Sequence, residues 1–256
     1  MRKRFRLSDL FLIGILLLYY LPILAVILFS FNDSRLATVW SGFSLRWYEK
    51  LFSDRVLLET LKNSLILAGI SCGVSAAIGT VGAVGLVRSR GKLSALLESV
   101  SIIPIMIPEI ILGMAFLAFF SYLSLKFGML TLVLAHTAFC VPYILLSVKG
   151  ALVGMDQSLT DAAQDLGATG ARAFWDVTLP EILPSVLSGV FIALAMSLDD
   201  VVISFFVAGP TTNTLPVKIY SQLKMGVTPE INALCSLMLA ASVVLVLLAL
   251  LPRRKK

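Results

Sequence analysis

Residues 161–180 read DAAQDLGATGARAFWDVTLP, a polar segment set in a chain of 256 residues that is otherwise strongly apolar. Hydrophobic residues make up 58% of the whole and charged ones 14%, so a long polar island calls for a reason. Asp161 and Asp165, at i and i+4, give one charged helical edge. Ala162, Ala163 and Gly167 keep the adjoining surface small enough for another protein's backbone to approach closely. Gly167 predicts a break between two short helices, and Pro180, directly after Leu179, starts the segment that follows. The bland alternative is a solvated loop.

Outward from that island the chain is a polytopic membrane protein. Its mean hydropathy is +0.95, and several uninterrupted apolar runs are long enough to cross a bilayer. Six spans are expected, over about 10–31, 64–87, 100–120, 130–148, 182–206 and 231–251, in a single all-α transmembrane domain. An even number puts both termini on one side. The net charge of +6 sits mostly at the two ends, in Arg2-Lys3-Arg4-Phe5-Arg6 and Arg253-Arg254-Lys255-Lys256. With Arg88, Arg90 and Lys92, these mark the terminal side as cytoplasmic and place the 157–180 loop there too. No basic stripe interleaved with aromatics remains for nucleic acid. Cys72, Cys140 and Cys235 lack CxxC spacing, so neither a disulfide framework nor a metal site is expected. Gly85 to Lys92 fails as a phosphate loop, because Leu93 stands where Ser or Thr is required.

The remaining polar residues within the spans carry the chemistry. Pro104, Pro108 and Glu109 lie near the middle of one span, ~15 Å from its cytoplasmic end at helical rise. The prolines loosen backbone pairing and predict a broken helix lining a cavity, where Glu109 meets a cation. A protonated carboxyl bonded between helices is the alternative. Ser197-Leu198-Asp199-Asp200 is the second sharp feature: burying both acids ionised would cost several kcal/mol, so they face water, share protons or meet cations. Ser197, Asp200 and Ser204 recur at i, i+3, i+7 as a polar stripe, with Asp199 offset by about 100°. A cation path follows from this, with pairing to a partner subunit's basic residues as the alternative. His136, the lone histidine, reads as a satisfied interhelical donor and is left outside the site. Gly69 and Gly73, in GxxxG register, predict close helix packing. In the first outer loop Trp47 reads primarily as a membrane-interface anchor, with ligand contact as the alternative.

Asp161-Ala162-Ala163, Gly167 six residues on and Val177-Thr178-Leu179-Pro180 resemble the EAA loop of ABC-importer permeases, with Asp for Glu and Val for Ile. Ser197-Leu198-Asp199-Asp200, Gly209-Pro210, Leu215-Pro216-Val217-Lys218-Ile219-Tyr220 and Pro229-Glu230-Ile231-Asn232-Ala233 make the chain similar to the second permease subunit of spermidine/putrescine importers. The resemblance implies a type I ABC-importer fold in a bacterial inner membrane. It implies as partners a homologous second permease, two ATPase subunits that bind ATP and Mg, and an extracytoplasmic polyamine-binding protein. This chain itself is then non-catalytic and holds no cofactor. The 161–167 helix receives the ATPase's motion, Glu109, Asp199, Asp200 and Ser197 line the substrate path, and Trp47 adds cation–π attraction at the entrance. Ferric ion or an opine are alternative substrates. A proton-coupled carrier with Glu109, His136 and the acid pair as relay is a rival class, disfavoured because a carrier working alone has no use for an EAA-type loop.

Overall fold

The computed structural model describes residues 7–34, 39–89, 91–224, 226 and 228–250. The basic ends and Arg90, on which the orientation argument leans, lie outside the described residues. Among those described, every regular element is helical, apart from one isolated bridge between Asn32 and Phe43. In order they are α1 (Leu7–Phe29), α2 (Arg46–Ser53), α3 (Arg55–Arg88), α4 (Lys92–Met106), α5 (Glu109–Tyr122), α6 (Met129–Gly154), α7 (Ser158–Asp165), α8 (Gly170–Ala173), α9 (Leu179–Asp199), α10 (Val202–Val207), α11 (Leu215–Leu223) and α12 (Pro229–Leu250). A π-helical turn, Phe174–Thr178, joins α8 to α9.

Four described stretches are long and apolar enough to cross a membrane: Phe11–Phe29, Arg55–Arg88, Met129–Gly154 and Gly170–Asp199. The stretch expected as one span over 100–120 is instead two helices, α4 and α5, bent by 108°. Pro108 is the cause: a proline disfavours helical backbone in the residue before it, and Ile107 is extended at φ −78, ψ 133. The stretch expected over 182–206 likewise divides, with α9 ending at Asp199 and α10 beginning at Val202. Pro229–Val244, within the stretch expected as the last span, is apolar but shorter than the others.

The chain divides into two compact units, Met1–Leu58 with Ile219–Val244, and Glu59–Lys218 with Leu245–Lys256. In the second, α6 is the central post, and its residues Leu132, Ala135, Cys140, Ile144 and Val148 are all buried. Lipid tails are as apolar as leucine, so close packing and interhelical hydrogen bonds must hold such a bundle. Both are present. Ser75 Oγ donates to the Thr137 carbonyl (3.1 Å), joining α3 to α6, and Ser147 Oγ donates to the Ser185 carbonyl (2.8 Å), joining α6 to α9. Gly79 of α3 and Gly189 of α9 both press on Ile144, where an added Cβ would come within 3.1 Å and 2.9 Å. This corrects the GxxxG expectation: a Cβ on Gly69 or Gly73 meets nothing within 4 Å, and the tight crossing lies further along the same helix.

The end of α10 is locked to the corner before α6. Thr131 Oγ1 donates to the Val207 carbonyl (2.8 Å), and Gly209 packs on Phe127 and Gly128. Gly209→Ala would put its Cβ 2.2 Å from the Phe127 carbonyl oxygen and 3.0 Å from Gly128 Cα. Both neighbours are backbone and cannot rotate away, so the cost is about 1–3 kcal/mol or more. Thermal denaturation in detergent is expected to place Gly209→Ala well below the parent chain and Gly73→Ala level with it.

In the first unit no residue of Phe11–Phe29 in α1 is buried and most are exposed, as in an apolar helix facing lipid or another chain. The loop after it folds around two side chains. Asn32 donates to the Val39 carbonyl (2.7 Å) and accepts from the Ser41 N–H (2.9 Å), while Trp47 Nε1 donates to the Asn32 carbonyl (2.7 Å). Lys50 of α2 then pairs with Glu230 of α12 at 2.5 Å.

Candidate functional site

The acids singled out in the spans sit at two helix breaks of the second unit. Glu109 is the first residue of α5, directly after Pro108, and its side chain is exposed. A carboxylate is favoured there by the partial positive charge of the unpaired N–H groups at a helix start. Asp199 ends α9 and is also exposed. Glu109 lies within electrostatic reach of both Asp199 and Asp200, so the structure brings all three together. α5 reaches α10 through Gly113, where a Cβ would fall 2.7 Å from the Phe206 ring.

Asp200 differs from its neighbour. It is 7% exposed, and its carboxylate accepts from the N–H of Ile203 (3.1 Å) and of Ser204 (2.7 Å), two otherwise orphaned donors of the first turn of α10. Its Oδ2 also stands 3.3 Å from His136 Nε2. His136 is fully buried in α6, with Nδ1 2.8 Å from Ser197 Oγ and Nε2 3.0 Å from Ser204 Oγ. The polar stripe Ser197–Asp200–Ser204 is therefore real, but it faces α6 and is satisfied there. That separates the proposed path residues: Glu109 and Asp199 are open, Asp200 and Ser197 are closed. His136 is the satisfied interhelical residue expected of it. What the residue pattern missed is that the expected stripe supplies its partners.

Trp47 belongs to the other unit. It is 7% exposed, its indole N–H is committed to Asn32, and its ring already carries the Arg46 guanidinium at 4.5 Å and the Lys50 ammonium at 5.7 Å. This corrects the expectation of an open ring facing lipid or an entering cation, because the loop folds over the indole and supplies its own cations.

The polar island forms the expected helix–turn–helix. α7 carries Asp161, Ala162 and Asp165 exposed and Ala163 half-buried. Gly167, exposed, has φ +88, the left-handed backbone that glycine takes without strain, and it turns the chain toward α8. Thr169 caps α8, its Oγ1 accepting from the Arg172 N–H (3.3 Å). The buried Thr160, Ala173 and Thr178 lie along the same stretch. The Leu179 N–H reaches back to the Phe174 carbonyl in a π turn, one residue before Pro180, which has no N–H to offer. With Leu179 half-buried and Pro180 exposed, the second arm runs without interruption into α9. At the head of α7, the Ser158 N–H donates to Asp156 (3.0 Å) and holds that carboxyl below its usual range. The bond's contribution is full above the carboxyl's ordinary value and is lost as the pH falls through the lowered one. Leu166 is 90% exposed and Trp175 65%, so the loop offers apolar surface that this chain does not cover.

Known proteins resemble this chain over most of its length. Residues 66–254 match the family described as binding-protein-dependent transport system inner membrane component. The chain is 41% identical over 229 residues to the putrescine transport system permease protein PotI of Escherichia coli (strain K12), covering 87% of this chain and 82% of that protein. It is 36% identical over 253 residues to the spermidine/putrescine transport system permease protein PotC of Haemophilus influenzae, covering 99% and 98%. Among solved structures, a bacterial alginate ABC transporter in complex with an alginate pentasaccharide-bound periplasmic protein superposes with TM-score 0.72 at 19% identity, covering 97% of this chain and 95% of that one. The inward-facing MetNI methionine ABC transporter gives 0.66 at 21% identity, over 76% and 93%. At those identities the likeness speaks for the fold alone. Helices broken beside acids, a two-armed polar loop continuous with a span, and matches of this extent place the chain in the family of binding-protein-dependent transport system inner membrane components, as a multi-pass ABC-importer permease.

Proposed function

We propose that this permease carries polyamines, spermidine or putrescine, into the cytoplasm by alternating access, as one half of a pair with a homologous permease. Two ATPase subunits bind ATP and Mg and dock on the 157–180 loop, and an extracytoplasmic binding protein delivers the substrate. Both termini and the loop then lie on the cytoplasmic side. The observation that carries the reading is the pair of exposed carboxylates, Glu109 and Asp199, at neighbouring helix breaks in a chain similar to putrescine and spermidine/putrescine permeases. A polyamine presents several protonated amines along a flexible chain. Two separated acids replace part of the hydration of two such groups by charge-assisted hydrogen bonds without caging either, which leaves release possible.

The arrangement of the polar loop supports the coupling role. Its second arm has no break before α9, so a displacement of the loop is carried into the span that ends at Asp199. The test is ATP-dependent uptake of labelled spermidine and putrescine by the complex assembled in vesicles with its candidate partners. Uptake of either that requires ATP and survives collapse of the proton gradient is the expected result. An assembled, ATP-hydrolysing complex that moves neither amine would reject the substrate, and uptake driven by the proton gradient alone would reject the class.

A further inference from the structure

We propose that His136 is a positioning residue for transport: it decides which of two adjacent, chemically identical carboxylates faces the substrate path. Asp199 and Asp200 stand side by side at the break between α9 and α10, and the residue types alone allow either to turn inward under the first turn of α10. In the structure only Asp200 does so. The choice is made from α6. One imidazole, with no solvent exposure, meets Ser197 in the last turn of α9 through Nδ1, and Ser204 and Asp200 through Nε2, at 2.8, 3.0 and 3.3 Å. A single ring thus ties both sides of the break to the most buried helix of the bundle. With Asp200 held inside, the chain must turn Asp199 outward, toward the side on which Glu109 is also exposed.

Removing the ring removes the preference. In His136→Leu, Asp200 keeps its two backbone donors but loses the side-chain partner, and Asp199 can compete for the same N–H groups. A hydrogen bond to a charged group contributes enough that its loss shifts such a choice by about tenfold or more. His136→Gln keeps an amide donor near the position of Nε2 and should restore most of the preference, a rescue that a merely space-filling role for the ring would not need.

The first readout does not depend on the substrate. With both aspartates native, the assembled complex is treated with a water-soluble carbodiimide and a labelled amine, and the rate of coupling at residue 199 relative to residue 200 is followed by peptide mass spectrometry. Position 199 is expected to react in preference to position 200 with His136 in place, with a relative rate about tenfold lower in His136→Leu and near the original in His136→Gln. If His136→Leu does not assemble, Ser197→Ala and Ser204→Ala, each removing one bond to the ring, take its place. An unreactive position 199 in the parent background, or a rate unchanged by all of these substitutions, overturns the proposal. The second readout rests on the polyamine reading: His136→Leu, which leaves Asp199 outward in about half of the molecules, should raise the apparent KM for spermidine about twofold and His136→Gln should recover it. Labelling that changes as expected in a complex that moves no polyamine would leave His136's role standing and reject the substrate. A KM unchanged where labelling has shifted would overturn the link between the exposed acid and the substrate.

Discussion

Asp199→Asn is expected to remove most ATP-driven polyamine uptake from a complex that still assembles, while Asp200→Ala is expected to destabilise the fold itself. The two residues are neighbours, and the contrast follows from their surroundings. Asp199 is exposed and stands outside the bonds made around Asp200 and His136, so its neutralisation should move stability by no more than about 0.5 kcal/mol. What it loses is a charged acceptor for an ammonium group, a contact of about 1.5–3 kcal/mol, or roughly ten- to a hundredfold in uptake at limiting substrate. Asp200→Ala leaves the N–H groups of Ile203 and Ser204 without their acceptor and His136 without its carboxylate, all in the interior. A lost helix-start acceptor costs about 0.5–2 kcal/mol, and a buried imidazole left without its carboxylate partner about 1–3 kcal/mol. Together they come to about 2–5 kcal/mol, a large part of an ordinary domain's stability. Detergent thermal denaturation and initial uptake rates measured on both variants check this. Equal stability with equal loss of uptake would put both carboxylates on the path.

Leu166→Asp is expected to abolish uptake while leaving the isolated chain as stable as its parent. Leu166 follows α7 at 90% exposure, just before the left-handed turn at Gly167, so nothing in this chain depends on its side chain. On the proposed ATPase surface the same leucine would be covered. Burying such a side chain contributes about 1.5–3 kcal/mol, and an unpaired carboxylate in its place adds a desolvation cost. Co-purification of the ATPase with the permease should fall at least about tenfold, and uptake with it. Unaltered co-purification with unaltered uptake would remove this face of the loop from the coupling surface. Normal co-purification without uptake would instead assign the residue to transmission of the motion.

The features that were legible in the residues are those that local chemistry decides. The 161–180 island announces itself because polar residues interrupt an apolar chain and because Gly167 is needed where the backbone turns left-handed. The break before Glu109 follows from Pro108, whose effect is confined to the residue beside it. The stripe of Ser197, Asp200 and Ser204 follows from helical spacing, even though the chain breaks within it.

What faces each of these was decided elsewhere. His136 lies 61 residues from Ser197 and 68 from Ser204, and no periodicity in either segment announces the other. A buried polar stripe and a lone histidine each call for partners, and that mutual need is the one signal by which they could have been matched. Gly69 and Gly73 have the spacing of a packing motif, yet Gly79 makes the contact, because the position of Ile144 on α6 determines where a backbone can come close. Trp47 has the composition of an interfacial aromatic, yet Asn32 and the cations of its own helix enclose it. The amino-acid sequence by itself determined that this protein is an all-helical membrane protein with a polar two-armed loop and acids at helix breaks, since apolar run length, proline and glycine act on their own neighbourhood. Only the tertiary structure decided that Asp200 is an internal anchor and Asp199 an open acid. Two identical side chains one residue apart differ only in what a distant helix places against them.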